Sequence, residues 1–136
     1  NDKNLRVTGV SMEKSAVLYE SLKAGKPVIL EESETLADSL LGGIGLDNQY
    51  TFPMVQQYMD DVLLISEDEI AYSMAFMMDK HRIIMEGAAA TGIAAVLGNK
   101  IPHQEGDLAV IISGQNVDLS VIHSVIEKYL KNTQVI

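Results

Sequence analysis

Three stretches hold residue types that could do chemistry: LADSLLGGIGLDNQYTF (36–52), IIMEGAAATG (83–92) and SGQNVD (113–118). The first clusters Gly42, Gly43 and Gly45 between acids and an aromatic end. A Walker-type phosphate loop must end in Gly-Lys-Ser/Thr, and a dinucleotide loop must follow directly on a strand. Neither context is present, so these glycines serve either tight backbone packing or contact with a ligand. Asp47 and Asn48 resemble part of a calcium loop, but the other oxygen ligands at alternate positions are missing. A turn is the better reading there. In the second stretch Glu86 opens a helix of small residues. Its carboxylate can stabilise the helix N-terminus through the dipole, or it can face a pocket. In the third, Ser113 and Gly114 follow the apolar run LAVII (108–112). Ligands of open α/β sheets bind at the carboxyl ends of strands, which suits Ser113. The plainer alternative is a strand exit turn, with Asn116 or Asp118 capping the last helix.

Other candidates are weak. His81, His103 and His123 are scattered without partners at helical ligand spacing, and read as surface or half-buried side chains. His103 and Glu105, in PHQEGD, read as solvated. Cysteine is absent, which removes disulfides, thiolate metal sites and cysteine nucleophiles together.

Elements must position these residues. Strands are expected at LRVTGV (5–10), DVLLIS (61–66) and DLAVIIS (107–113), with a short extended VIL (28–30). The third has no polar alternation and is expected to be buried on both faces, as parallel strands are. A helix from Lys14 to Lys23 shows Val17, Leu18 and Leu22 on one face and stops at Gly25 and Pro27. A second is expected over 53–59, with Thr51 as N-cap and Pro53 at its first position. Ser66 and Glu69 form a capping box for EDEIAYSMAFMMDKH, whose stripe of Ile70, Met74, Met77 and Met78 reads as core. EGAAATGIAAVLG (86–98) suits close packing at a crowded centre. DLSVIHSVIEKYLKN (118–132) closes the chain on Val121, Ile122, Val125, Ile126 and Leu130. Strands alternating with helices give an α/β class with a partly parallel sheet and flanking helices.

Composition bounds the rest. At 136 residues the chain is expected to be a single domain, and 47% hydrophobic residues mark it as folded. The net charge of −9 argues against nucleic acid, which is usually gripped by a basic patch. No apolar run approaches the roughly 20 residues of a membrane-spanning helix. A soluble cytoplasmic chain, without membrane or nucleic-acid partners, is the expectation.

The order RVTGV, AVLYESLKAGKPV, TLADSLLGGIGLDNQYTF, DDVLLISEDEIAYSM, HRIIMEGAAATGIAAVL, VIISGQNVD resembles the C-terminal part of the large domain in pyridoxal-phosphate enzymes of fold type II. The resemblance is to the threonine dehydratase and serine racemase family, whose fold is the tryptophan synthase beta-like fold. It covers essentially residues 1–136, as a single partial domain. LADSLLGGIGLDNQYTF looks most like the hydroxyectoine-utilisation dehydratases. The resemblance implies pyridoxal 5'-phosphate as cofactor and a hydroxy amino acid, threonine- or serine-like, as substrate. It further implies α,β-elimination to a 2-keto acid and ammonia, in a homodimer or higher homo-oligomer.

Site residues follow from the same resemblance. Ser113, with Gly114, matches the family's Ser-Gly-Gly-Asn motif, whose serine hydrogen-bonds the cofactor's pyridine nitrogen. Gln115 stands where the family has a second glycine. Ser39 replaces the glycine usual after Ala-Asp and would lie beside the cofactor ring. Glu86 matches a glutamate near the cofactor. Arg82 and Asn116 match nucleotide-contacting or interface positions of racemase relatives. The divalent-metal site of several relatives is expected to be lost, since Ser11 and Val17 stand where its carboxylates would be. None of the eight lysines has the Ser-x-Lys-x-Arg context of the family's Schiff-base lysine; Ser21-Leu22-Lys23 continues into Ala-Gly. There is no tetraglycine phosphate loop. The expectation is therefore a fragment, roughly the last two-fifths of such an enzyme, with no catalytic residue of its own and inactive alone. The competing expectation is a non-catalytic α/β module that binds a small molecule or a partner.

Overall fold

The computed structural model describes residues 5–102 and 106–133. His103 and Glu105 lie outside the described residues. Strand β1 (Thr8–Met12) leads into α1 (Val17–Ala24), a 3-10 turn (Asp38–Leu40) and α2 (Thr51–Tyr58). Strand β2 (Asp61–Ile65), α3 (Glu67–Phe76) with a π-helical turn (Met77–His81), α4 (Gly87–Leu97) and α5 (Leu119–Thr133) follow. The two strands pair in parallel, from Thr8 opposite Asp61 to Met12 opposite Ile65.

β1 starts later than the apolar run LRVTGV suggests. Val7 bonds instead to the turn before β2: its N–H donates to the Asp60 carboxylate at 2.7 Å, and its carbonyl accepts from the Asp60 N–H at 2.9 Å. Met12 and Ile65, at the carboxyl ends of the strands, are fully buried. They meet α4, where Ala89, Ala90, Ala94 and Ala95 are each at most 2% exposed. Small residues let this helix sit close to both the sheet and α3. α3 contributes Ile70, Met74 and Met77 to the same core, as the stripe implies, and α5 adds Val125 and Tyr129. Tyr129 packs on Tyr72 of α3 with ring centres 5.4 Å apart.

Three local readings change. The segment 107–113 forms no strand among the described residues, and it is exposed rather than buried. Ile111 is 87% exposed and Leu108 58%. A strand exists only through a neighbour's backbone, and the β1–β2 ladder does not extend to this segment. Val110 is half-buried and packs against Gly92 of α4, where an added Cβ would stand 2.8 Å from its Cγ1. α2 begins at Thr51, and its cap is Asn48: Asn48 Oδ1 accepts from the Phe52 N–H and the Thr51 hydroxyl, both at 2.9 Å. Asn48 Nδ2 also donates to the Ile44 carbonyl at 2.6 Å, which settles its role as a turn and cap residue. On α1 the buried positions are Val17 and Ser21, with Leu18 and Leu22 half-buried. The Ser21 hydroxyl is drawn inward because it accepts the Val28 N–H at 3.0 Å. Gly25 ends α1 in the left-handed conformation, φ 70°, as its type requires.

The capping box of α3 is present. The Ser66 hydroxyl accepts from the Glu69 N–H, and the Glu69 carboxylate accepts from the Ser66 N–H at 2.8 Å. That carboxylate also receives Lys100 Nζ at 2.9 Å, while Lys100 donates to the Leu64 carbonyl at 3.0 Å. One lysine thus ties β2, α3 and the end of α4. Burial pushes the Glu69 carboxyl upward, but hydrogen bonds from Lys100 and Ser66 outweigh it and leave the pKa below the ordinary glutamate value. A carboxyl lowered on folding contributes stability above its unfolded pKa and loses it as pH falls through the lowered one. Lys100→Met is therefore expected to cost about 1 kcal/mol at neutral pH. In thermal denaturation across pH, the gap to the parent chain should close below the ordinary glutamate range. A gap independent of pH would contradict the linkage.

Candidate functional site

The site forms where three segments meet. The first is the 3-10 turn after Leu36-Ala37. Ala37 is fully buried, and the carbonyl of Leu36 lies directly on the backbone of Gly87, so close that no Cβ fits between them. A glycine at the first position of α4 thus sets the distance between the turn and the helix start.

Across that contact Ser39 donates its hydroxyl hydrogen to Glu86 Oε1 at 3.0 Å. The third segment arrives from residues 113–117. The Glu86 N–H donates to the Gly114 carbonyl at 3.2 Å, and the Asn116 N–H donates to Glu86 Oε2 at 3.1 Å. Gly114 lies so close that an added Cβ would stand 2.5–2.7 Å from the Glu86 carboxyl atoms. Glu86 thus joins the turn that carries Ser39 to the 113–117 segment. Its side chain makes no capping hydrogen bond to its own helix. The exit-turn alternative for SGQNVD is met in part, since Val117 N–H reaches the Gln115 carbonyl at 3.0 Å. Asn116, however, spends its N–H on Glu86, and the Asp118 carbonyl accepts from Ile122 N–H at 3.1 Å at the start of α5.

Ser113 is exposed, and its hydroxyl makes no hydrogen bond among the described residues. It is therefore free to donate to a ligand beside Glu86 and Gly114. The glycine stretch extends the surface: Ser39, Gly42 and Gly43 join Val10, Ser11 and Leu18 around a cleft of about 300 Å³. Gly42 (φ 96°) and Gly45 (φ 83°) occupy conformations that disfavour other residues. At Gly42 the constraint is the backbone angle and not space, since the nearest atom to an added Cβ is 3.8 Å away.

Arg82 stands apart from this constellation. It ends the π-helical turn in the left-handed region, φ 61°, and its guanidinium lies on the Asp79 carbonyl and 3.7 Å from the Asp79 carboxylate. It borders a separate cleft of about 360 Å³ between α3 and α5, with Met78, Ile126 and Tyr129. No hydrogen bond joins Arg82 to Asn116 among the described residues. Nor do the described residues hold any group of three or more His, Cys, Asp or Glu able to grip a metal ion. Ser11 and the buried Val17 both line the 300 Å³ cleft.

The donor set has a definite chemical character. A hydroxyl on Ser113 and a hydroxyl on Ser39 already held by Glu86 are neutral polar groups, compatible with the pyridoxal phosphate that the resemblance implies. No described lysine hydrogen-bonds to Ser39, Glu86 or Ser113. Sequence reasoning placed Ser39, Glu86 and Gly114 near one another only by resemblance. It missed the Leu36–Gly87 contact, whose only trace is a glycine at a helix start where alanine would be preferred.

The model of the family described as pyridoxal-phosphate dependent enzyme matches residues 1–114. A Sinorhizobium fredii protein with a provisional threonine dehydratase name is 42% identical over 95% of this chain and 39% of its own length. The L-threonine ammonia-lyase of Thermotoga maritima is 34% identical over 93% of this chain and 31% of its own length. Maize serine racemase superposes with a TM-score of 0.78 at 25% identity, covering 98% of this chain and 41% of that one. The chain thus spans between 31% and 39% of the length of these two curated relatives.

Proposed function

The chain belongs to the pyridoxal-phosphate dependent enzyme family, and from that premise we propose that it forms one wall of the cofactor pocket in a threonine/serine dehydratase-like lyase. The fold is that of a fold type II enzyme in part, and the cofactor of the family is pyridoxal 5'-phosphate. The observation that carries the proposal is the joining of Ser39, Glu86 and Gly114 beside the free hydroxyl of Ser113.

When bound, the cofactor supplies an electron sink for the bonding pair at the substrate's α-carbon. The chain's own residues set its character. Ser113 would donate a neutral hydrogen bond to the pyridine nitrogen of the bound cofactor. A hydroxyl would not hold that nitrogen protonated as an aspartate would, a character that would favour loss of the β-hydroxyl over transamination. Glu86 holds Ser39 and the 113–117 segment in one frame, with Gly42 and Gly43 continuing the wall. The substrate is a hydroxy amino acid that loses its α-proton and β-hydroxyl, and the released product hydrolyses to a 2-keto acid and ammonia.

The wording of LADSLLGGIGLDNQYTF supports a finer assignment to hydroxyectoine utilisation. The full-length enzyme is taken to be a cytoplasmic homo-oligomer in which the covalent lysine and the catalytic base come from outside these 136 residues. Among the described residues no hydrogen bond joins Arg82 to Asn116, and the proposal includes no nucleotide site. The proposal is tested by adding pyridoxal phosphate to the purified chain and recording the absorbance of a lysine-bound cofactor. None should develop. A single specifically modified lysine, mapped by mass spectrometry, would sink the division of labour.

A further inference from the structure

The turn that carries Ser39 is held by a residue the chemistry so far does not use. Glu67, at the first position of α3, directs its carboxylate onto the TLAD segment. Oε1 accepts the Thr35 hydroxyl at 2.5 Å, and Oε2 accepts the Leu36 N–H at 2.8 Å. Thr35 Oγ1 in turn accepts the Ala37 N–H at 3.1 Å. Two of three successive peptide N–H groups are thereby fixed within one small network, just before the 3-10 turn Asp38–Leu40. On its other side the same segment is pressed on α4, through the Leu36 carbonyl against Gly87. Residues 35–37 are clamped between the starts of two helices, and Ser39 reaches Glu86 from that clamp.

We propose that Glu67 is a positioning residue for the cofactor pocket, acting through Thr35 and Leu36 to hold Ser39 on Glu86. The inference rests on the reading of Ser39 and Glu86 as pocket wall. The clamp has features a mere surface contact lacks. Both carboxylate oxygens are engaged, each by a different donor of one short segment, and Glu67 is half-buried. Hydrogen bonds to a charged acceptor are the stronger kind, so releasing them frees the segment rather than retuning it. Glu69, two residues on, faces Ser66 and Lys100, and Asp68 between them pairs with Lys128, so the three acids of the α3 start have separate partners.

The test is a double-mutant cycle in the full-length enzyme, read as the dissociation constant of pyridoxal phosphate from reconstituted apoenzyme. Glu67→Ala should weaken cofactor binding about fivefold when Ser39 is present, and by less than about twofold on a Ser39→Ala background. Thr35→Val removes one of the two bonds without emptying the site, and should give a smaller loss in the same direction. It also covers the case in which Glu67→Ala fails to fold. Thermal stability is measured alongside, because a purely structural role would lower the melting temperature equally on both backgrounds. Equal losses of cofactor affinity on both backgrounds would overturn the positioning role, as would unchanged affinity in Glu67→Ala and Thr35→Val. If Ser39→Ala and Glu86→Gln themselves leave affinity unchanged, it is the pocket reading that fails, and this inference falls with it.

Discussion

Gly87→Ala is expected to destabilise the chain by about 3 kcal/mol or more. Helix propensity alone argues the opposite sign, since alanine in a helix is favoured over glycine by roughly 1 kcal/mol. Packing decides the matter. The new methyl would fall inside the van der Waals shell of the Leu36 carbonyl and stand 3.0 Å from the Ala37 nitrogen. Those atoms are backbone, and backbone cannot swing aside as the end of a side chain can. Ala37 is fully buried and the flanking N–H groups are bonded to Glu67 and Thr35, so the segment has nowhere to retreat. Relief would come only by moving α4 off the turn, which parts Ser39 from Glu86. Chemical denaturation should show the loss, and an alanine variant as stable as the parent chain would refute the contact. Gly25→Ala is a useful control, because nothing lies within 4 Å of a Cβ there and only the left-handed conformation opposes it.

In the full-length enzyme, Ser113→Ala is expected to lower the rate of elimination roughly ten- to a hundredfold, with the cofactor still attached. The hydroxyl is exposed and uncommitted, so removing it disturbs no internal hydrogen bond and should leave stability nearly unchanged. The loss falls on the electronics of the cofactor ring, as a change in kcat larger than that in KM. Ser113→Thr retains a hydroxyl and should keep most of the rate. Ser113→Asp would hold the ring nitrogen protonated and shift products toward transamination. Steady-state kinetics with product analysis distinguish these outcomes. Unchanged kinetics in Ser113→Ala would remove the pyridine role.

Much of this arrangement could be read from the residue string, for reasons that are local. The Ser66–Glu69 box forms because its partners lie three residues apart and need nothing else. Gly25 stops α1 by its own conformational freedom. The alanine run of α4 reads as buried because only small side chains tolerate such close approach, and it is buried. Where a partner distant in sequence decides, pattern misleads. DLAVIIS has the composition of a central parallel strand, yet composition supplies no neighbour, and Ile111 stands 87% exposed. Thr51 looks like a cap, but the loop returns Asn48 to the helix start, and its amide serves both Phe52 and Ile44. The site shows both behaviours. Ser113, Gly114, Ser39 and Glu86 were reached through resemblance, because 47 residues separate Ser39 from Glu86 and no periodicity links them. Glu67 gave no sign at all. Among the acids EDE at a helix start it looks like dipole decoration, and only the tertiary fold shows its carboxylate on Thr35 and Leu36.

The most direct measurement is the distance from Ser113 Oγ to the pyridine nitrogen, in a crystal structure of the full-length enzyme loaded with pyridoxal phosphate. A hydrogen bond of about 2.8 Å is predicted, with Ser39 and Glu86 along the same ring. A cofactor bound elsewhere, with Ser113 facing solvent and Glu86 still joined to Ser39 and Asn116, would contradict it.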